Sequence, residues 1–226
     1  MDYYHLAKYV ILIQVFLLLF LLTATFFAFF YRKYRTQQIE QGRYRISKII
    51  INFFLHKKEL DQVNLLEITT PRNLLAVIEK FDRYFRGDEW ENIKQPIIEK
   101  YLISLARDYA LSTDWTSRNF AARVFALFPY KEDRQRMLQL LDDPAFLVSG
   151  IASIALIRLE EKEATLKVIE KMPGQHGYAY YFYHDLFIDT PKKIVDWVAE
   201  IEKETGEEEI KHVCKEIQAN LNLVNQ

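Results

Sequence analysis

Two hydrophobic patterns divide the chain. From Val10 to Tyr31 no residue is charged, and the run Val15-Phe-Leu-Leu-Leu-Phe-Leu-Leu22 is apolar on every side. Gln14, Thr23 and Thr25 are its only strongly polar members. A helix of that length reaches roughly 33 Å, enough for a hydrocarbon core of ~30 Å. A cleaved signal segment has an apolar core of only ~7–15 residues and a small-residue cleavage site. Here Phe26, Phe27, Phe29 and Phe30 surround Ala24 and Ala28. The expectation is one retained transmembrane helix over residues 10–31, after a short extracytoplasmic segment over 1–9. Ala24-x-x-x-Ala28 is a pairing pattern of low specificity without glycine.

Beyond the span the pattern changes to helical amphipathicity, with apolar residues three and four apart. Ile46, Ile49, Ile50, Phe53 and Phe54 form the first stripe. This helix either continues from the span or is set off by the polar stretch 36–41. Thr70-Pro71 is an N-cap with proline at the first helical position, followed by Leu74, Ile78, Phe81 and Phe85. Pro96 is expected early in the next helix, which buries Ile98, Tyr101, Leu102, Leu105 and Tyr109. Residues 114–128 read as one amphipathic helix closed by Pro129, and Met137, Leu138, Leu140 and Leu141 mark its partner. Asp143-Pro144 is expected to cap a helix to about Leu159, apolar along Leu147, Ile151 and Ile154 and again along Val148, Ala152, Leu156 and Leu159. Such a helix must be covered over most of its surface. Leu166, Ile169 and Met172 follow, with Pro173-Gly174 as a stop. Two more helices carry Ile194, Trp197, Val198 and Ile201, then Ile210, Val213, Cys214, Ile217 and Leu221.

An offset of 29 residues relates Asp114 to Asp143, Ala126 to Ala155, Leu127 to Leu156, Met137 to Leu166 and Leu140 to Ile169. Each unit is a capped helix with small residues, a turn and a shorter amphipathic helix. The segment Asp142-Asp-Pro-Ala-Phe-Leu-Val-Ser-Gly-Ile-Ala-Ser-Ile-Ala-Leu156 resembles the short HEAT-like repeats of bacterial proteins. The likeness is good over 114–172 (repeats 114–142 and 143–172) and loose over 38–110 and 178–222. Trp115 stands where the pattern has proline. The resemblance implies an all-α fold, a HEAT-like α-solenoid of antiparallel helix pairs over 59–226. Stacked pairs bury a continuous core that one pair cannot cover. It also implies a binding habit without catalytic residues. In the kind of protein it resembles, a bacterial inner-membrane accessory or scaffold subunit is expected, non-catalytic, docking one or more membrane-associated proteins. Some short HEAT-like repeats occur in lyases, so a small-molecule or lyase-like site near residues 178–185 stands as the alternative.

Charge adds orientation. Residues 32–58 hold eight Lys/Arg against Glu40, and residues 59–226 hold 21 basic and 29 acidic residues, a net of −8. The positive-inside rule puts the N-terminus outside and the remainder in the cytoplasm. Arg32, Lys33, Arg35, Arg43 and Arg45 are candidates for lipid-headgroup contact, each worth ~1 kcal/mol when well placed. Tyr3, Tyr4, Tyr9, Tyr31 and Tyr34 fit interfacial anchors. Nucleic acid is not expected as a partner, because phosphate neutralisation needs clustered cations.

Candidate chemistry is sparse. A single cysteine, Cys214, rules out an internal disulfide and a cysteine-based zinc site, and it lies on an apolar stripe. The five histidines are scattered, and no metal or other cofactor is expected. No phosphate loop, nucleophile elbow or kinase signature is present. The densest stretch runs from His176 to Asp189. On a helix its Tyr181 and Asp185 share one face, while Tyr180, Tyr183 and His184 share another. Tyr178, Tyr180, Tyr181, Tyr183, His184 and Asp185 are therefore candidate partner-binding residues, unless the aromatics fill the core. Arg118 and Arg123 on the first repeat helix are further partner-binding candidates that could line one edge, with a solvated charged face as the alternative.

Overall fold

The structure is a computed structural model that describes residues 3–56, 64–188 and 190–224, with side chains described over 8–54, 64–188 and 190–221. Tyr3 and Tyr4, expected as anchors, and Lys57 and Lys58 of the basic segment lie outside the described side chains. Among the described residues every regular element is helical. The chain divides into two compact units, Met1–Val77 and Ile78–Gln226.

The first unit is dominated by α1 (Tyr3–His56), one unbroken helix of 54 residues. The polar stretch 36–41 does not interrupt it. Gln, Glu, Arg and Lys are good helix formers, and neither proline nor a run of glycines stands in the way. Thr23, Thr25 and Thr36 turn their hydroxyls back onto carbonyls of their own helix, as Thr36 does to Arg32 at 2.9 Å. This satisfies the hydroxyl without a partner element. One apolar helix is thus long enough to cross a membrane, and none of its most apolar window is buried. Burial begins at Ile46, Ile50 and Phe53. There α1 packs with α2 (Leu65–Ile68), a single turn capped by Asn64. α3 (Pro71–Tyr84) begins at the proline foreseen, and Thr70 Oγ1 accepts from Asn73 N–H at 3.4 Å.

The second unit opens with the end of α3, then α4 (Asp88–Tyr101) and α5 (Ile103–Tyr109). Here the expectation for Pro96 is corrected, because α4 starts eight residues before it. Asp88, Glu89 and Glu91 occupy the first turn, where carboxylates oppose the helix dipole. Burial of Trp90 and Lys94 anchors the stretch ahead of the proline. Trp90 Nε1 and Lys94 Nζ both donate to Asp82 Oδ1, each at 2.9 Å.

Next come α6 (Trp115–Leu127), α7 (Arg134–Leu141), α8 (Phe146–Arg158) and α9 (Lys162–Glu170). Asp114 caps α6, its carboxylate accepting from the backbone of Thr116 at 3.2 Å and Ser117 at 3.1 Å. Asp143 does not cap α8 in the same way. Its carboxylate is taken by Arg118 and by Ala145 N–H at 2.8 Å, and the helix begins only at Phe146. The bounds of α8 therefore follow those of α6 by 31 positions, while α9 starts 28 after α7. The expected 29 lies between these two offsets.

α6 packs on α8, α7 on α8 and α9, and α9 on α11 (Lys192–Glu204) and α12 (Glu208–Val224). α10 (Tyr178–Asp185) lies against α8 and α12. Small residues permit the α6–α8 approach: Ala121, Ala122, Ala152 and Ala155 are fully buried. One expectation for α8 fails. Val148, Ala152 and Leu156 are fully buried, but Leu147 is 56% exposed and Ile151 and Ile154 are half-buried. The neighbours of α8 cover one broad face and leave that stripe partly open.

Candidate functional site

The aromatic segment becomes α10, and its approach is set by glycine. Gly174 and Gly177 adopt φ of 76° and 59°, a left-handed conformation that glycine enters without the Cβ penalty. They carry the chain from the end of α9 round to Tyr178. Gly150 does a different task on α8. A Cβ there would stand 3.1 Å from the Phe182 ring, so its absence lets α10 lie close.

α10 then splits into two faces. Tyr183 and Phe182 turn inward, each edge-on to Phe146 with ring centroids 6.2 and 5.5 Å away, and Phe187 follows them into the core. Tyr178 and Tyr181 turn outward, 75% and 66% exposed, and Asp185 is exposed as well. Of the four tyrosines, Tyr183 lies in the core, Tyr178 and Tyr181 are exposed, and Tyr180 is half-buried.

Between α10, the turn 172–177 and α12 lies an open cleft of about 760 Å3. Tyr180, Tyr181, His184, Glu209, His212 and Glu216 supply its chemistry. Glu216 is the hub. Its Oε1 accepts the Tyr180 hydroxyl at 3.2 Å and lies 3.4 Å from His212 Nε2, while its Oε2 lies 3.5 Å from His184 Nε2. His184 is 5% exposed, and the Asn220 amide nitrogen is 3.4 Å from its Nδ1. The Tyr180 and His184 rings stack obliquely at 4.3 Å. Burial lowers the His184 pKa, against the pull of Glu216 and Asp185. Burial and the Glu216 charge raise the Tyr180 hydroxyl.

His212, Glu216 and His176 reach the cleft from segments that a search for paired histidines passes over. A signal for two of them was nevertheless present. Glu209, His212 and Glu216 follow at i, i+3 and i+7 on α12, which puts them on one face. Among the described residues no three His, Cys, Asp or Glu side chains are gathered closely enough to hold a metal ion.

The two arginine candidates lie away from this cleft, on α6. Arg118 pairs with Asp143 and donates to the carbonyls of Ser112 at 2.9 Å and Thr113 at 2.8 Å. Arg123 pairs with Glu79 across to α3. Both tie neighbouring elements together. Arg32, Lys33, Arg35, Arg43 and Arg45 are exposed along α1. Cys214 is fully buried, and burial followed by the nearby Glu202 pushes its thiol up to about 11.

The chain matches no protein-family model, no curated protein and no solved structure.

Proposed function

We propose that the protein is a single-pass, membrane-anchored docking module without catalytic activity. Residues 10–31 cross the bilayer once, with the N-terminus outside. The helices after residue 59 form a HEAT-like stack on the cytoplasmic face of an inner membrane, where they hold a membrane-associated protein. One observation carries this reading. From Val10 to Tyr31 the large apolar side chains of α1 are 48–73% exposed. An apolar surface of that extent aggregates in water and is stable in lipid, where a helix satisfies every backbone group internally. The exposed Arg32, Lys33 and Arg35 fit the headgroup region directly behind the span. Packing of α6 on α8, and of α7 on α9, supports the stacked arrangement. Tethering then keeps the docking cleft at high effective concentration beside membrane partners.

The test is extraction and topology. A C-terminally tagged full-length chain should stay in the membrane through alkaline carbonate. Protease should remove the tag from inverted vesicles and spare it in intact spheroplasts. Recovery of the full chain in the soluble fraction would sink the anchor, and digestion in spheroplasts would reverse the topology.

The cleft favours a second reading, a small-molecule site, because His184, His212 and Tyr180 converge on one carboxylate. Docking is preferred because the cleft is open, and Glu216 already engages the other three groups.

A further inference from the structure

We infer that the cleft between α10 and α12 receives an arginine-bearing basic segment of a partner protein. This rests on the docking reading above and names the partner's chemistry. Charge is the first argument. Glu208, Glu209 and Glu216 line the cleft, and none of its lining residues is Lys or Arg. Glu208 is engaged from outside by Lys211 at 2.7 Å, and Glu216 serves Tyr180 and the two histidines. Glu209 is exposed and has no ion-pair partner among the described residues. A carboxylate at the mouth of a cleft without fixed cations is complementary to a positive group.

The aromatic wall is the second argument. The Tyr180 and Tyr181 rings meet edge to face at 5.4 Å, forming a corner beside the carboxylates. Tyr180 is held in place by Glu216, whereas the Tyr181 ring is open to solvent. A ring face attracts a cation, and a planar guanidinium stacks on it while its N–H fork reaches a carboxylate. Lysine lacks the planar fork. Shape is the third argument. An open cleft of about 760 Å3 exceeds one side chain and leaves room for the segment that carries it. Tyr178, exposed on the same helix outside the cleft, extends the surface along that segment.

The experiment uses the full chain in neutral phosphatidylcholine nanodiscs and fluorescence anisotropy at physiological salt. The probes are short labelled peptides alternating glycine with arginine, with glutamine or with glutamate. Only the arginine peptide should bind. Glu209→Gln and Tyr181→Ala should each weaken it about tenfold, a loss of ~1.4 kcal/mol. Both positions are exposed, so the melting temperature should not move. Glu89→Gln removes an equal charge from an exposed position on α4 and should change binding less than twofold. Equal losses from Glu89→Gln and Glu209→Gln would reduce the effect to the general acidic field and overturn the inference. Free arginine amide binding as tightly as the peptide would overturn it in favour of a small cation. Tyr181-dependent binding of the glutamine or glutamate peptide would overturn the cation and leave docking standing. If no peptide responds to either cleft variant, the docking reading falls as well.

Discussion

The first half of α1 and the whole of α8 are built almost entirely from apolar residues, yet their surroundings are opposite. α8 is packed against α6, α7, α9 and α10. The apolar stretch of α1 has no covered residue in its most apolar window. Side-chain size separates them as much as length does. α8 has 13 residues, and its buried face includes Ser149, Gly150, Ala152, Ser153 and Ala155. Small residues let neighbouring backbones come close enough to fill the space. The α1 stretch runs from 10 to 31 without a charge and is dominated by Leu and Phe. Outside Thr23, Ala24, Thr25 and Ala28 its side chains are large, so little of it offers the close backbone approach that α8 makes. Hydrophobicity alone would place both helices in a core, whereas the grain of the side chains and the uncharged length distinguish them.

The largest effect should come from putting charge into each helix. Leu18→Arg with Leu19→Arg in α1 costs about 6 kcal/mol of insertion free energy if that stretch lies in lipid. The double variant should leave the carbonate-resistant membrane fraction. Tryptophan fluorescence of the domain should not change, since Trp90, Trp115 and Trp197 all lie outside α1. Ala152→Asp makes the parallel change in α8. It buries an unpaired carboxylate at a fully covered position and should abolish cooperative urea unfolding read by the same fluorescence. Leu147→Asp, on the open stripe of the same helix, should shift stability by no more than about 0.5 kcal/mol. If the α8 pair behaved alike, its two faces would not differ as the packing requires.

Next in size is the tie between α6 and the start of α8. Asp143 is nearly covered, and Arg118 supplies its charge partner. Arg118→Ala leaves that carboxylate buried beside the start of α8, a loss of about 3 kcal/mol. Urea midpoints of the two proteins measure it. A partner-binding arginine would instead leave stability unchanged, so this variant separates the two roles.

That pair also marks where the sequence was readable and where it was not. Helix existence and the stripes of α12 were legible, because Ile210, Val213, Cys214, Ile217 and Leu221 recur at helical spacing and are all buried. Asp114 capped as its position promised. Asp143 did not, because its charge is claimed by an arginine 25 positions away, which local capping rules cannot see. Pro96 misled for a related reason: proline is most at home at a helix start, and burial of Trp90 and Lys94 overrode that preference. Half of the candidate site was visible as tyrosines on α10. The other half arrives from α12, and only folding brings Glu216 to His184. The continuity of α1 through residues 36–41 depended on helix propensity alone, which the alternation of polar and apolar residues does not report.

A smaller effect probes the far end of α8. Glu160, directly after that helix, has φ of 53° and is the only non-glycine at positive φ among the described residues. Its amide donates to Ile157 carbonyl at 3.1 Å, so the turn closes α8 in a conformation that disfavours a Cβ. Glu160→Gly removes that strain and should stabilise the domain by about 1 kcal/mol, raising the urea midpoint without altering its slope. Glu160→Ala should not, since it keeps the Cβ.

The smallest effect concerns the cap of α6, the principal neighbour of α8. Hydrogen bonds from the hydroxyls of Thr116 and Ser117, then from their backbone amides, hold the Asp114 carboxyl at about 2 instead of its ordinary 3.8. Because the folded value is the lower one, the carboxylate contributes its full share of stability above the ordinary value. That share is lost as pH falls toward about 2. Asp114 is open to water, so its field is screened and the change is slight beside the burial effects above. Asp114→Asn keeps an oxygen for the amides but does not titrate. Between pH 4 and 2 the wild type should lose more stability than this variant, and the difference between their urea midpoints isolates the cap from every other carboxylate. Parallel curves would mean that the cap acts through the acceptor alone, its charge adding nothing to the stability of α6.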